Sequence, residues 1–255
     1  MHLIITGCEY SGTTALSFAL SEWGKANLGG DGWALNAFHD HWKLPHVANF
    51  SPPQSDEEKQ ALISEYPDAA RGDWSRTGLT DEEQQMILGL TPKLKEMLQR
   101  YHMEYHLQDS FYRQPDHIQV GAYIEEAIYA PLYFGYGGEG EYADRRLVSR
   151  SYEKQILERA PDTVLVLVKA SAEVIGERMS DWPHHNGALQ REDIDSVLAR
   201  FEEEYDASSL HHKIVIDTSS ATVEESMAEL AEKLTPLLSE GDRNRMKAQG
   251  GHRDG

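Results

Sequence analysis

Gly7-Cys8-Glu9-Tyr10-Ser11-Gly12-Thr13-Thr14 follows the apolar run Leu3-Ile4-Ile5 and leads directly into a helical pattern of Ala15, Leu16, Phe18, Ala19, Leu20 and Trp23. Two glycines separated by four residues, set between a strand and a helix, let successive backbone N–H groups and a helix N-terminus surround an anionic phosphate. The spacing is that of G-x-x-x-x-G-K-[ST], with Thr13 at the lysine position and Thr14 where a hydroxyl normally meets Mg²⁺. Gly7, Tyr10, Ser11, Gly12, Thr13 and Thr14 are the candidate phosphate-binding residues, and Thr14 is the candidate metal contact. The absent lysine leaves open which phosphate compound binds and which group is transferred. Cys8 reads as a small residue filling the turn, since buried cysteines usually behave as small apolar groups.

A second constellation is Phe38-His39-Asp40-His41-Trp42-Lys43. In open α/β sheets ligands lie beyond the carboxyl ends of strands. Asp40, just past the second predicted strand, is therefore the candidate carboxylate for an acceptor hydroxyl, with His39, His41 and Lys43 around the substrate. His39 and His41 share one side of an extended chain, so a metal site is the alternative, and a plain surface loop is the bland reading. The cations that could face a transferring group are Arg145, Arg146, Arg178 and Lys43; in an acidic chain each could equally be a carboxylate-paired surface residue. His102 and His106 share a helix face. His184-His185 falls in a polar flap.

These residues need a scaffold, and the hydrophobic pattern supplies one. Five apolar runs, at 2–6, 34–39, 117–123, 163–169 and 213–217, alternate with helical patterns, which predicts an α/β fold with a five-stranded parallel sheet flanked by helices. Thr163-Val164-Leu165-Val166-Leu167-Val168 is an unbroken β-branched and leucine run suited to burial on both sides. A polar helical insertion spans about 45–112. Its helix starts Ser55-Asp56-Glu57-Glu58 and Thr80-Asp81-Glu82-Glu83 read as capping boxes, making a lid or the face of a homodimer. Leu94, Met97, Leu98, Tyr101 and Tyr105 predict an apolar helix face. A short helix follows the fourth strand, then a flap (a lid at about 178–192), a helix, the last strand and an acidic helix opened by Thr222 and Glu225. Residues 1–240 thus read as one domain and 241–255 as a polar disordered tail.

The 255 residues carry a formal charge of −19. That charge opposes binding of a nucleic-acid polymer, which relies on clustered Lys and Arg. A small anion needs only local amides and a few cations, so a small phosphate-containing donor and a small acceptor are the expected partners. No apolar run approaches the roughly 20 residues of a membrane helix. One cysteine fits a reducing, cytoplasmic setting.

The C-terminal order also carries a family resemblance. Lys169-Ala170-Ser171-Ala172-Glu173-Val174-Ile175-Gly176-Glu177-Arg178-Met179 resembles the post-strand segment of nucleoside and nucleotide kinases, where an arginine opens the lid; Arg178 takes that place. Ile216-Asp217-Thr218-Ser219 resembles their final strand and loop near the donor base. Glu125 and Glu126 are similar to the acidic-arginine-serine segment of deoxynucleoside kinases, with Glu125 on the substrate side and Glu126 where that family has arginine. Asp144-Arg145 resembles the Asp-Arg pair of thymidylate kinases, whose arginine handles phosphate. The resemblance implies the fold of P-loop nucleoside triphosphate hydrolases, ATP with Mg²⁺ as donor, and catalytic roles for Asp40, Arg145 and Arg178. Ser11-Gly12-Thr13-Thr14 is similar instead to the 5′-phosphate loop of sulfotransferases, which implies a phosphoadenylyl sulfate donor without metal, with Lys169 and Glu177 at the 3′-phosphate positions. A third reading is a catalytically degenerate phosphate-ligand-binding protein.

Overall fold

The computed structural model describes residues 1–29, 35–38, 81–112, 115–184 and 187–253. Five parallel strands, β1 (His2–Thr6), β2 (Leu35–Phe38), β3 (His117–Val120), β4 (Val164–Lys169) and β5 (His212–Asp217), lie in the order β2-β3-β1-β4-β5. Four of them, β3-β1-β4-β5, run in unbroken register, with Ile5 opposite both Val120 and Val166. The fifth, β2, joins the β3 edge at Leu35 and Phe38 with a register shift between them.

Alternation of side chains explains why the central strands are apolar throughout. Leu3 and Ile5 of β1 and Val164, Val166 and Val168 of β4 pack on one face with Leu16, Leu20, Leu230 and Leu234. Ile4, Leu165 and Leu167 point the other way, against Ile124, Ile128, Tyr129, Ile156 and Phe201. The first layer is built by α1 (Thr13–Leu28) and, late in the chain, by Val223–Leu234. The second is built by α5 (Ala122–Tyr129), α6 (Arg145–Arg159) and α8 (Ile194–Ala207). Between these come α2 (Asp81–Leu88), α3 (Pro92–Tyr105), α4 (Asp109–Tyr112) and α7 (Ala172–Asp181), and α9 (Val223–Leu234) and α10 (Glu240–Arg253) close the chain. The capping box at the start of α9 forms as expected: Thr222 Oγ1 accepts from Glu225 N at 3.2 Å, and Glu225 Oε2 accepts from Thr222 N at 2.8 Å.

Three expectations need correction. Residues 121–123 leave the strand, because Gly121 and Ala122 both take positive φ (78° and 53°) and turn the chain into α5. The tail is helical up to Arg253, and the helix is docked. Arg245 donates two 2.6 Å bonds to the Asp116 carboxylate, and Met246 packs against the apolar layer of α1 and α9. On α3 the face expected to be buried is turned outward: Leu94, Met97 and Tyr101 are exposed, whereas Glu96, Gln99, His102 and Met103 are buried. A buried arginine, Arg145, draws Glu96 inward and sets that rotation.

Candidate phosphate-binding site

The glycine loop stands at the carboxyl end of β1, between neighbours β3 and β4. Gly7 lies so close to β4 that a Cβ would sit 2.3 Å from the Val168 carbonyl oxygen and 2.5 Å from Ser11 Oγ, so only glycine fits there. Ser11 N donates to Cys8 O at 2.9 Å, closing a turn in which Tyr10 takes φ 68° and which left-handed Gly12 follows at φ 94°. Gly12 is the N-cap of α1, and no side chain caps that helix. The first-turn amides of any α-helix lack intrahelical acceptors, so those of Thr13, Thr14 and Ala15 are available to an anion. Ser11 Oγ is fully buried beside them and has no hydrogen-bond partner among the described residues.

Arg178, expected as a catalytic cation, reaches this loop from behind. From α7 its Nη1 donates to Tyr10 O at 2.9 Å and to Thr218 Oγ1 at 3.2 Å, and its Nη2 donates to Thr218 O at 2.8 Å. Thr218 Oγ1 in turn donates to Ser11 O at 2.7 Å. Among the described residues no carboxylate pairs with Arg178, so its positive charge stands beside Gly12 uncancelled. In the sequence Thr218 reads only as part of the last loop, and its tie between loop and arginine is visible only in the fold.

Glu125 also comes to the loop. It is buried on α5, and its charge, together with that of Glu9, helps raise the pKa of Cys8 and of Tyr129. Burial is the main cause at Cys8, where the thiol is pushed up to about 12; it is a packed thiol, as read from the sequence, and no nucleophile at neutral pH. Tyr129 Oη accepts from Glu9 N at 3.0 Å.

Arg145, also expected as a catalytic cation, is held by two carboxylates. It is fully buried, with Nη2 3.1 Å from Glu96 Oε1 and 3.2 Å from Glu126 Oε1, and its guanidinium lies over the Tyr136 ring. Burial raises the Glu126 pKa while the Arg145 charge opposes the shift. Within the Asp144-Arg145-Arg146 segment, Asp144 caps α6 by accepting from Arg146 N at 3.0 Å, Arg145 ties three helical segments together, and exposed Arg146 pairs with exposed Glu203 and buried Glu204. Lys169, the first of the 3′-phosphate positions in the sulfotransferase comparison, is ion-paired with Glu202, and Glu177 is an exposed carboxylate. Asp40, His39, His41 and Lys43 lie outside the described residues.

For Mg²⁺, the loop offers the Thr14 hydroxyl in the exposed first turn of α1. Among the described residues no group of three or more His, Cys, Asp or Glu is placed to hold a metal ion. One hydroxyl is compatible with an ion that keeps several waters and takes its other ligands from substrate phosphates.

No family model and no curated protein matches this chain. Solved structures do. The deoxyadenosine kinase of M. mycoides with bound dATP aligns over 92% of this chain and 100% of its own, at 12% identity and a TM-score of 0.51. The fold is P-loop kinase-like. The YorR protein of Bacillus subtilis, in complex with phosphorylated GDP, aligns over 93% of this chain and 99% of its own, at 14% identity and a TM-score of 0.49. No helix among the described residues is long and apolar enough to cross a membrane.

Proposed function

We propose that this protein is a phosphotransferase of the nucleoside or nucleotide kinase type, which moves a phosphoryl group from ATP to a hydroxyl of a small acceptor. The observation that carries the reading is the uncapped N-terminus of α1, with the buried, unpartnered Ser11 hydroxyl beside it, inside a kinase-like sheet. In this reading the amides of Thr13, Thr14 and Ala15 hold a donor phosphate. Thr14 would hold Mg²⁺, which would supply neutralisation of charge on the transferring group. Arg178 supplies a fixed positive charge behind the loop, which fits a chain with threonine at the lysine position. Glu125, and Asp40 beyond β2, are the carboxylates proposed for the acceptor side. The charge of −19 favours a small acceptor over a polymer.

A thermal-shift panel tests the reading against the sulfotransferase alternative. ATP with Mg²⁺ at about a hundred times its dissociation constant should stabilise the protein by roughly 2.7 kcal/mol. Adenosine 3′,5′-bisphosphate should do less. Stabilisation by the bisphosphate alone would overturn the kinase reading, and stabilisation by neither would favour a protein that has lost donor binding. ADP release with a panel of hydroxyl acceptors then separates transfer from binding.

A further inference from the structure

The amino end of the sheet, opposite the glycine loop, carries a chain of rings on which α3 and α4 sit. His117 of β3 is its centre: it is 1% exposed, and neither ring nitrogen has a hydrogen-bond partner among the described residues. It stacks on His2 of β1 at 4.3 Å between centroids, and Phe111 and Tyr112 of α4 lie against it at 4.5 Å and 5.0 Å. Phe111 meets His106, the C-cap of α3, at 5.1 Å, and His106 meets His102 at 4.8 Å. Among the described residues no carboxylate answers a charge on His117. Its sequence neighbour Asp116 is taken by the Met1 α-amino group at 2.6 Å and by Arg245, while that amino group and His2 both oppose a proton on the ring. Arg159, which acts on Tyr112, is paired with Asp109. On the other side, His106 meets His102 O through Nδ1 at 2.9 Å, His102 faces Gln99 at 3.3 Å, and across a small cavity His106 faces Gln119, Tyr152 and Tyr123, the last bonded to Glu153.

A buried imidazolium among apolar rings is strongly disfavoured, so this packing holds only while the rings are neutral. In water each imidazole takes up a proton near pH 6.5. We propose that His106 and His117 form an acid-released clasp: as pH falls, α3 and α4 leave the amino end of the sheet as a unit, while β4 and α8 stay folded. Release carries Glu96 of α3 away from Arg145, so it also opens the buried ion network. Burial holds His106 down at about 4 and His117 well below its ordinary value. The released arm therefore binds more protons than the docked one, and the clasp is fully present above pH 6.5 and weakens as pH falls towards 4. For His106 alone the opening equilibrium rises roughly thirtyfold between pH 7.5 and 5, and His117 adds to it. The clasp goes beyond the phosphotransferase reading and rests on no part of it.

Hydrogen exchange followed by mass spectrometry on the full chain at pH 7.5 and pH 5, corrected for the intrinsic pH dependence of amide exchange, tests the clasp. Amides of residues 92–112 should lose protection together, by about tenfold or more between the two conditions. At pH 5 the amides of β4 and α8 should remain about tenfold better protected than those of the arm, a pattern that unfolding of the whole molecule does not give. A double variant, His106→Phe with His117→Phe, keeps a ring at each position and removes both proton acceptors; its response should shrink to about threefold or less. Arm protection within about twofold at the two pH values would overturn the clasp, as would equal protection of the arm, β4 and α8 at pH 5. An undiminished response in the folded double variant would overturn the assignment to these two imidazoles. The parent alone separates release from whole-molecule unfolding, whether or not the double variant folds, and the outcome is independent of the nucleotide panel.

Discussion

At the scale of single residues, the central question is how a phosphate loop keeps its shape and its charge with threonine at position 13. Gly7 and Gly12 answer the first part, since one position admits no Cβ and the other needs positive φ. Arg178 and Thr218 answer the second, by bonding the loop carbonyls of Tyr10 and Ser11 while leaving a positive charge against the loop. Thr218→Val keeps the shape of the side chain and deletes the hydroxyl that joins the two. It should cost roughly 1–2 kcal/mol in urea unfolding, because the buried Ser11 carbonyl loses its donor. It should also weaken binding of ATP with Mg²⁺ in calorimetric titration by about tenfold, the equivalent of about 1.4 kcal/mol. An unchanged affinity would show that Arg178 holds its place without Thr218.

At the scale of elements, α3 and α4 pack against the amino end of the sheet through a cluster of aromatic rings and imidazoles. His106 on the α3 C-cap meets His102 at 4.8 Å and Phe111 at 5.1 Å, and Phe111 meets His117, which stacks on His2 at 4.3 Å. Burial lowers the His106 pKa from 6.5 to about 4, against the opposing bond between its Nδ1 and His102 O, and pushes His117 well down too. The folded protein therefore keeps His106 neutral where the unfolded chain takes up a proton. Between pH 6.5 and 4 the unfolded state binds more protons, so this stability is fully present above pH 6.5 and is lost as pH falls towards 4. His106 alone should account for roughly 3 kcal/mol over that window. Urea unfolding of the parent at pH 7.5, 6 and 5 should show the decline. His106→Phe should make it shallower, with His117 still contributing, and an undiminished decline in that variant would place the proton uptake elsewhere.

At the scale of the whole molecule, one buried ion network joins the helical insertion to the rest of the fold. Arg145 bridges Glu96 of α3 and Glu126 of α5 from the first turn of α6, with Tyr136 donating to Glu126 Oε1 at 2.8 Å. Breaking a buried pair by removing one partner leaves an uncompensated charge in a medium that solvates it poorly. Arg145→Met should destabilise the protein by roughly 3–5 kcal/mol in chemical unfolding. Any loss of activity should follow the unfolded fraction. Activity lost while stability stayed at the parent value would return Arg145 to the catalytic role that the Asp-Arg resemblance implied. The fold-level similarity to deoxyadenosine kinase concerns this same frame, a parallel sheet with helices on both faces.

Local chemistry determined much of this protein from the amino-acid sequence alone. Strands buried on both faces read as unbroken apolar runs, so β1 and β4 were legible almost to the residue, and the edge strand β5 was legible from its short run Ile214-Val215-Ile216. The glycine loop was legible because glycine spacing between a strand and a helix has few other uses. The Thr222 capping box was legible because its two partners are three residues apart. Tertiary structure decided what depends on partners distant in sequence. Arg145 and Arg178 look alike as isolated arginines; one is drawn into the core by Glu96 and Glu126, and the other is held at the loop by carbonyls from residues 10 and 218. The outward turn of Leu94 and Met97 and the docking of α10 through Arg245 follow the same rule. Burying a charge with its partner can outweigh the hydrophobic period of a single helix, and that balance is set only when the chain has brought both partners together.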